Sequence, residues 1–163
     1  MRAIRRWARR RGLPLRLIGV DIEPDTIALA REATTAGDRV DYLAADVFTL
    51  RPTVRVDLVV SSLVAHHLDD ERIVALLRWM ETTARRGWMI ADLERHPVPY
   101  SVIGIVGRMM GVHPMVIKDG SISVTRALRR TEWPPIVGAA GIAPDAVRLD
   151  WFLYRLAVSR LKA

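Results

Sequence analysis

Three aspartates close apolar runs in this sequence: Asp21 after LRLIGV, Asp46 after DYLAA and Asp92 after WMIA. An acid at the carboxyl end of a parallel strand lies where open α/β sheets bind nucleotides, and its carboxylate can accept both hydroxyls of a ribose. Asp21 is the clearest instance, ending a strand just ahead of a helix that starts at Pro24. The same placement also suits a helix cap. Asp46 carries a parallel choice between a ligand-binding acid and an Asx turn. Ser61 and Ser62 end the β-branched run VDLVVSS, where a buried hydroxyl needs a hydrogen-bond partner. His66 and His67 follow that run, and His96 follows Asp92. A histidine at such an edge can take a proton from a hydroxyl, because imidazole titrates near neutrality. The competing reading for His66 and His67 is a bond to the helix start at Asp69–Asp70. Adjacent loop side chains point apart, so at most one of these histidines is expected to act as a base.

Other chemistries find no support. The chain has no cysteine, which excludes disulfides, thiolate metal sites and cysteine nucleophiles and fits a reducing, cytoplasmic setting. HHLDD is compact, but helix-start acids explain it better than metal-ligand spacing does, so no metal is expected. Nothing matches a hydrolase elbow or a Walker loop. At 163 residues, half of them hydrophobic and 26% charged, the sequence reads as one globular domain. The net charge of +7 is carried almost wholly by arginine.

The elements that must position these residues follow from the apolar pattern. A basic helix over Ala3–Arg11 is expected, with Ile4, Trp7 and Ala8 on one face and Gly12 and Pro14 ending it. Leu15–Ile22 reads as a strand. Pro24 opens a helix with Ile27, Leu29 and Ala30 as its buried stripe, ended by Gly37. Val40–Phe48 reads as the next strand. Val56–Val64 reads as a central strand covered on both faces. Asp69–Ala84 is predicted helical, with Ile73, Leu76, Leu77 and Met80 at i, i+3, i+4 and i+7. Trp88–Leu93 is a further strand. Such alternation implies α/β architecture with a mostly parallel sheet.

Beyond Asp92 the pattern changes. Glu94–Pro99 reads as a loop, and Ser101–Met110 as an apolar segment. Val98–Ile117 is long enough to span a bilayer, but Arg108, His113 and Pro114 interrupt it, so no transmembrane segment is expected. A lid over a substrate, or a helix on a lipid surface, fits better. Asp119–Gly120 suggests a turn, Val124–Arg130 a helix, and Glu132–Ala140 a second helix closed by Gly141. Val147–Trp151 and Arg155–Arg160 suggest an antiparallel hairpin.

Four segments taken in order, VDIEPDTIALARE, DYLAADV, VDLVVSSLVAHHLDD and WMIADLERHP, resemble the class I S-adenosylmethionine-dependent methyltransferases from their second strand onward. The resemblance covers essentially the whole chain and implies a Rossmann-like sheet with a C-terminal antiparallel hairpin. It implies S-adenosylmethionine as cofactor. Asp21 would hold the ribose hydroxyls, with Ile22 packed on the sugar or adenine. Asp46 would take the adenine amino group, with the backbone of Val47 beside the ring. Ser61 and Ser62 would face the methionine portion, and His66 or His67 would lie beside the transferred methyl. His96 is a further candidate base. The apolar Val98–Ile117, with Tyr100, Met109 and Met110, would floor or cover a pocket for a hydrophobic small molecule, such as an aromatic or phenolic hydroxyl compound.

The family's first strand and its glycine-rich loop have no counterpart here. The expectation is therefore that Met1 is an internal methionine of a longer protein. Two other function classes stay open. One is a non-catalytic methyltransferase-fold remnant or interaction subunit. The other is a nucleic-acid binder using Arg5, Arg6, Arg9, Arg10 and Arg11, although a solvated helix face explains that cluster better, so no nucleic acid is expected. Contact with a membrane surface is compatible with the sequence, and no feature of it fixes an oligomeric state.

Overall fold

Leu17–Asp21 and Val40–Ala44 form a parallel pair, β1 and β2, in register from Leu17 opposite Val40 to Asp21 opposite Ala44. The computed structural model that shows this describes residues 1–98, 100–102 and 109–162. It divides into two compact units, 1–51 and 52–163.

The first unit holds β1, β2 and two helices, α1 (Arg2–Arg10) and α2 (Pro24–Glu32). Its strands approach closely at Gly19, which pairs directly with Tyr42. A Cβ there would lie 2.7 Å from the tyrosine ring, so only glycine lets the ring lie across the strand. The Tyr42 hydroxyl is 2.9 Å from Thr34 Oγ1, joining the end of α2 to β2.

The predicted faces of both helices need correction. Ile4 and Trp7 are 39% and 49% exposed, while Arg5 and Ala8 are buried. Arg5 tolerates burial because its guanidinium donates to the carbonyl oxygens of Leu15 and Arg39. Trp7 instead lies under the Arg11 guanidinium, 4.8 Å from the ring centre. In α2 only Ile27 is buried, and Leu29 is 66% exposed. That helix ends at Glu32 rather than at Gly37, which belongs to a separate short turn, Ala36–Asp38. β2 stops at Ala44 instead of Phe48, because the chain bends at Asp46.

The second unit is a four-stranded sheet. β3 (Val56–Ser62) pairs in parallel with β4 (Ala84–Leu93), and the hairpin of β5 (Arg148–Phe152) and β6 (Arg155–Leu161) completes the order β3-β4-β6-β5. β6 runs antiparallel to both neighbours. The predicted hairpin is therefore present. One sheet face is covered by α3 (Asp70–Thr83), whose Ile73, Leu76, Leu77 and Met80 are all buried as their spacing requires. Asp69 caps this helix, accepting from Arg72 N–H at 2.8 Å. The same core takes in Trp88 and Ile90 of β4, Leu156 and Val158 of β6, and Trp133, Ile136 and Val137 of α5 (Trp133–Ala139).

β3 is not covered on both faces. Leu58 and Val60 are 56% and 51% exposed, and it is Val59 and Ser61 that share the face of Trp88 and Ile90. β4 starts four residues before Trp88, since α3 runs straight into it. Gly87 makes that entry possible: its φ is +151°, and a Cβ there would lie 2.3 Å from the Arg160 carbonyl oxygen. The turn predicted at Asp119–Gly120 lies inside α4 (Pro114–Arg126), so the expected Val124–Arg130 helix starts ten residues earlier and ends at Arg126. Its true start is set by Pro114 in the first turn and by His113, whose Nδ1 accepts from Met115 N–H at 3.2 Å. Of the predicted apolar segment 98–117, residues 99 and 103–108 lie outside the described residues. Among the described residues no helix is long and apolar enough to cross a membrane.

Candidate functional site

In the first unit the parallel register brings Asp21 and Asp46 to one edge. Asp21 is the last residue of β1 and pairs with Ala44, and Ala45 N–H extends the ladder by donating to the Asp21 carbonyl at 2.9 Å. Asp46 therefore lies one residue past that last ladder bond. The two acids are tied down in the same way. Asp21 Oδ1 accepts from Glu23 N–H at 2.9 Å, and Asp46 Oδ1 accepts from Phe48 N–H at 2.9 Å. Both are Asx-type bonds, which fix the side-chain rotamer locally. Asp21 is thus not the helix cap, a position held by Glu23. Among the described residues, neither Oδ2 takes a hydrogen bond, so each acid keeps an oxygen aimed by its own turn. Ile22 is 59% exposed beside them, and Val47 is half-buried.

In the second unit the central feature is a buried pair. His66 and Asp92 are 6% and 3% exposed, and His66 Nδ1 lies 2.6 Å from Asp92 Oδ1. Asp92 also accepts from two backbone amides, His66 N–H through Oδ2 at 3.2 Å and Leu93 N–H through Oδ1 at 2.7 Å. An ionised carboxylate only accepts, so Nδ1 is the donor in this pair. His66 is positioned by a short helical turn, Ala65–His67, and α4 packs against that turn. Sequence reasoning placed Asp92 at a strand end but did not join it to His66. A usable signal was its phase: Trp88, Ile90 and Asp92 alternate on the buried face, where a carboxylate needs a partner.

The other candidates divide by their partners. The His67 ring is exposed and stands 4.1 Å from that of His66, centre to centre. His96 Nδ1 accepts from Val98 N–H at 3.2 Å, so this histidine caps the helical residues that follow it. Ser61 is half-buried and Ser62 exposed at the end of β3, opposite Ile90 and Ala91. Met109 and Met110 are 82% and 74% exposed and Tyr100 is 50% exposed. Among the described residues no group of three or more His, Asp or Glu is placed to hold a metal ion.

The carboxyl edge of this sheet is also where the backbone is strained. Among the described residues four non-glycine residues have positive φ, and three of them lie there: Leu63 at 58°, Leu153 at 45° and Tyr154 at 60°. Such conformations cost on the order of 1–3 kcal/mol each and cluster at binding and catalytic sites.

A family model described as a methyltransferase domain matches residues 2–87. A comparison with curated proteins finds no match. Among solved structures, the human N-acetylserotonin methyltransferase in complex with SAM has a TM-score of 0.62 at 15% identity, with 91% of this chain and 41% of that one covered. The plantazolicin methyltransferase BpumL, in complex with a pentazolic desmethyl analogue and SAH, has a TM-score of 0.71 at 11% identity, covering 98% and 71%. A structure described as a pericyclic reaction enzyme has a TM-score of 0.65 at 13% identity, covering 98% and 40%. The chain thus spans about two fifths of the first and third of these. At such identities the likeness is one of fold: α/β, of the Rossmann-like methyltransferase type.

Proposed function

This chain belongs to the methyltransferase-domain family, and we propose that it serves S-adenosylmethionine-dependent methyl transfer to a hydrophobic small molecule, at an aromatic or phenolic hydroxyl. We propose further that the chain is a single methyltransferase domain. The observation that carries the reading is the pair Asp21 and Asp46 at one edge of a parallel pair, each with one carboxylate oxygen anchored and the other without a hydrogen bond among the described residues.

The donor set fits the cofactor. A ribose presents O–H donors and adenine an N–H₂ donor, and both acids offer acceptors only. Asp21 would hold the ribose hydroxyls and Asp46 the adenine amino group, with Ile22 and Val47 giving the apolar surface for sugar and ring. Ser61 is assigned to the methionine portion. When bound, the cofactor supplies an electrophilic methyl group on a positively charged sulfur.

The chain's own part in the reaction is alignment and removal of a proton. Of the candidate bases, His66 is favoured over His67 and His96 because Asp92 holds it in one tautomer. Nε2 takes the proton of the acceptor hydroxyl, and the positive ring that results is stabilised by the buried Asp92 carboxylate. His96 has its Nδ1 committed to Val98, and His67 has no carboxylate partner among the described residues.

Calorimetric titration with S-adenosylhomocysteine tests it. Wild type is expected to give saturable heat. Asp21→Ala removes charge-assisted bonds worth roughly 1.5–3 kcal/mol each and is expected to weaken binding at least tenfold. Absence of saturable heat in the wild-type chain would favour a non-catalytic chain that keeps only the fold.

A further inference from the structure

The hairpin of β5 and β6 turns through two residues, Leu153 and Tyr154, with φ of 45° and 60°. Two-residue turns of this hand normally carry Asn-Gly or Asp-Gly, residues that tolerate positive φ. Here they carry a branched aliphatic residue and a tyrosine. The residues leading in are no more polar: Trp151 and Phe152 are 49% and 70% exposed, and Leu153 itself is 67% exposed. Folding alone favours small polar residues at such a tip, so four bulky ones in succession ask for another explanation.

Position supplies it. Arg155 pairs with Leu93, and the Tyr154 carbonyl accepts from Glu94 N–H at 3.0 Å. The tip therefore reaches the chain two residues past Asp92, at the edge that holds the His66–Asp92 pair. The Tyr154 ring has two aromatic neighbours. The His96 ring lies 4.8 Å away, tilted by 43°, and the Trp151 ring meets it edge-on at 5.5 Å. His96 is itself fixed by its bond to Val98. Among the described residues no hydrogen bond reaches the Tyr154 hydroxyl.

We propose that Trp151, Tyr154 and His96 form an aromatic platform that binds a planar aromatic ligand by stacking, with Tyr154 as its specificity-determining residue. Calling that ligand the methyl acceptor rests on the function proposed above; the platform itself does not. A lipid surface needs only exposed apolar side chains, whereas a flat ligand needs rings held at fixed angles, as these are.

The test is equilibrium dialysis of the full chain against 2-naphthol and against its saturated, non-planar counterpart decahydro-2-naphthol, with S-adenosylhomocysteine titrated in parallel. We expect 2-naphthol to bind about tenfold more tightly than the saturated compound, and Tyr154→Leu to weaken it about tenfold. Tyr154→Phe keeps the ring and should bind about as wild type does. Trp151→Leu should weaken 2-naphthol as well, which keeps the test valid should Tyr154→Leu fail to fold. Equal binding of the two probes, or full binding by Tyr154→Leu, overturns the platform. So does binding of mixed phosphatidylcholine–phosphatidylglycerol vesicles that depends on Trp151 and Tyr154 while 2-naphthol does not bind. Tyr154-dependent naphthol binding without any binding of S-adenosylhomocysteine supports the platform and removes the methyl-transfer reading instead.

Discussion

At the amino end of β4, the Glu81 carboxylate takes the Trp88 indole N–H at 2.7 Å and lies 3.2 Å from the Lys162 ammonium and 3.7 Å from the Arg160 guanidinium. Lys162 also donates to the carbonyl oxygens of Glu81 and Ala84, tying the last turn of α3 and the start of β4 to the end of β6. At the carboxyl end of the same strand, Asp92 is buried against His66, the backbone is strained at Leu63, Leu153 and Tyr154, and large apolar side chains stand in solvent. One end spends its charges on closing the sheet. The other holds a histidine against a buried carboxylate, with exposed Trp151 beside half-buried His96 and Tyr154. The contrast gives the proposed site its place: the interlocked charges lie at the far end of the strand from it, and the strained backbone lies beside it.

The sharpest test of that division is His66→Gln. It is expected to lower methyl transfer to a phenolic acceptor by about 10²–10⁴-fold in single-turnover assays, the usual worth of a positioned base. Binding of S-adenosylhomocysteine should stay near the wild-type value. A rate within a few fold of wild type would place the proton acceptor elsewhere. Gly87→Ala attacks the opposite end. Its Cβ meets the Arg160 carbonyl oxygen, so we expect a loss of about 2–3 kcal/mol in urea unfolding. Unchanged stability would mean that the strand entry is more plastic than drawn.

The smallest effect concerns acid. Burial opposes ionisation of Glu81, but the Trp88 indole, Lys162 and Arg160 outweigh it and hold the carboxyl below its ordinary value of 4.5. The folded state then binds a proton less readily than the unfolded chain. The stabilisation is full above the ordinary value and is lost as pH falls through the lowered one. In Glu81→Gln the acid limb of a melting-temperature profile should fall less steeply. An unaltered limb would show that these contacts contribute nothing.

Legibility in the sequence followed the range of the interaction. α3 was readable in full because Ile73, Leu76, Leu77 and Met80 report one helical face, and the hairpin because its two runs are neighbours. Asp21 and Asp46 were placed by strand ends alone, and both were found on one edge. Arg5 was not readable, since its burial depends on carbonyls of Leu15 and Arg39, which only the folded chain brings to it. The His66–Asp92 pair was half readable: each residue was noted, but 26 positions separate them. The start of α4 was hidden because histidine is an uncommon cap and Asp119–Gly120 imitates a turn.

The turn at Leu153 and Tyr154 also bears on how this protein would respond to selection or engineering. Leu153→Asn with Tyr154→Gly is the exchange a stability screen should reward, because it relieves two strained residues at no cost to the β5–β6 pairing. A screen for ligand retention should reject the same exchange. The two positions therefore make an adjustable joint at which thermal robustness and molecular discrimination pull apart, and variants sorted under each pressure would separate there first.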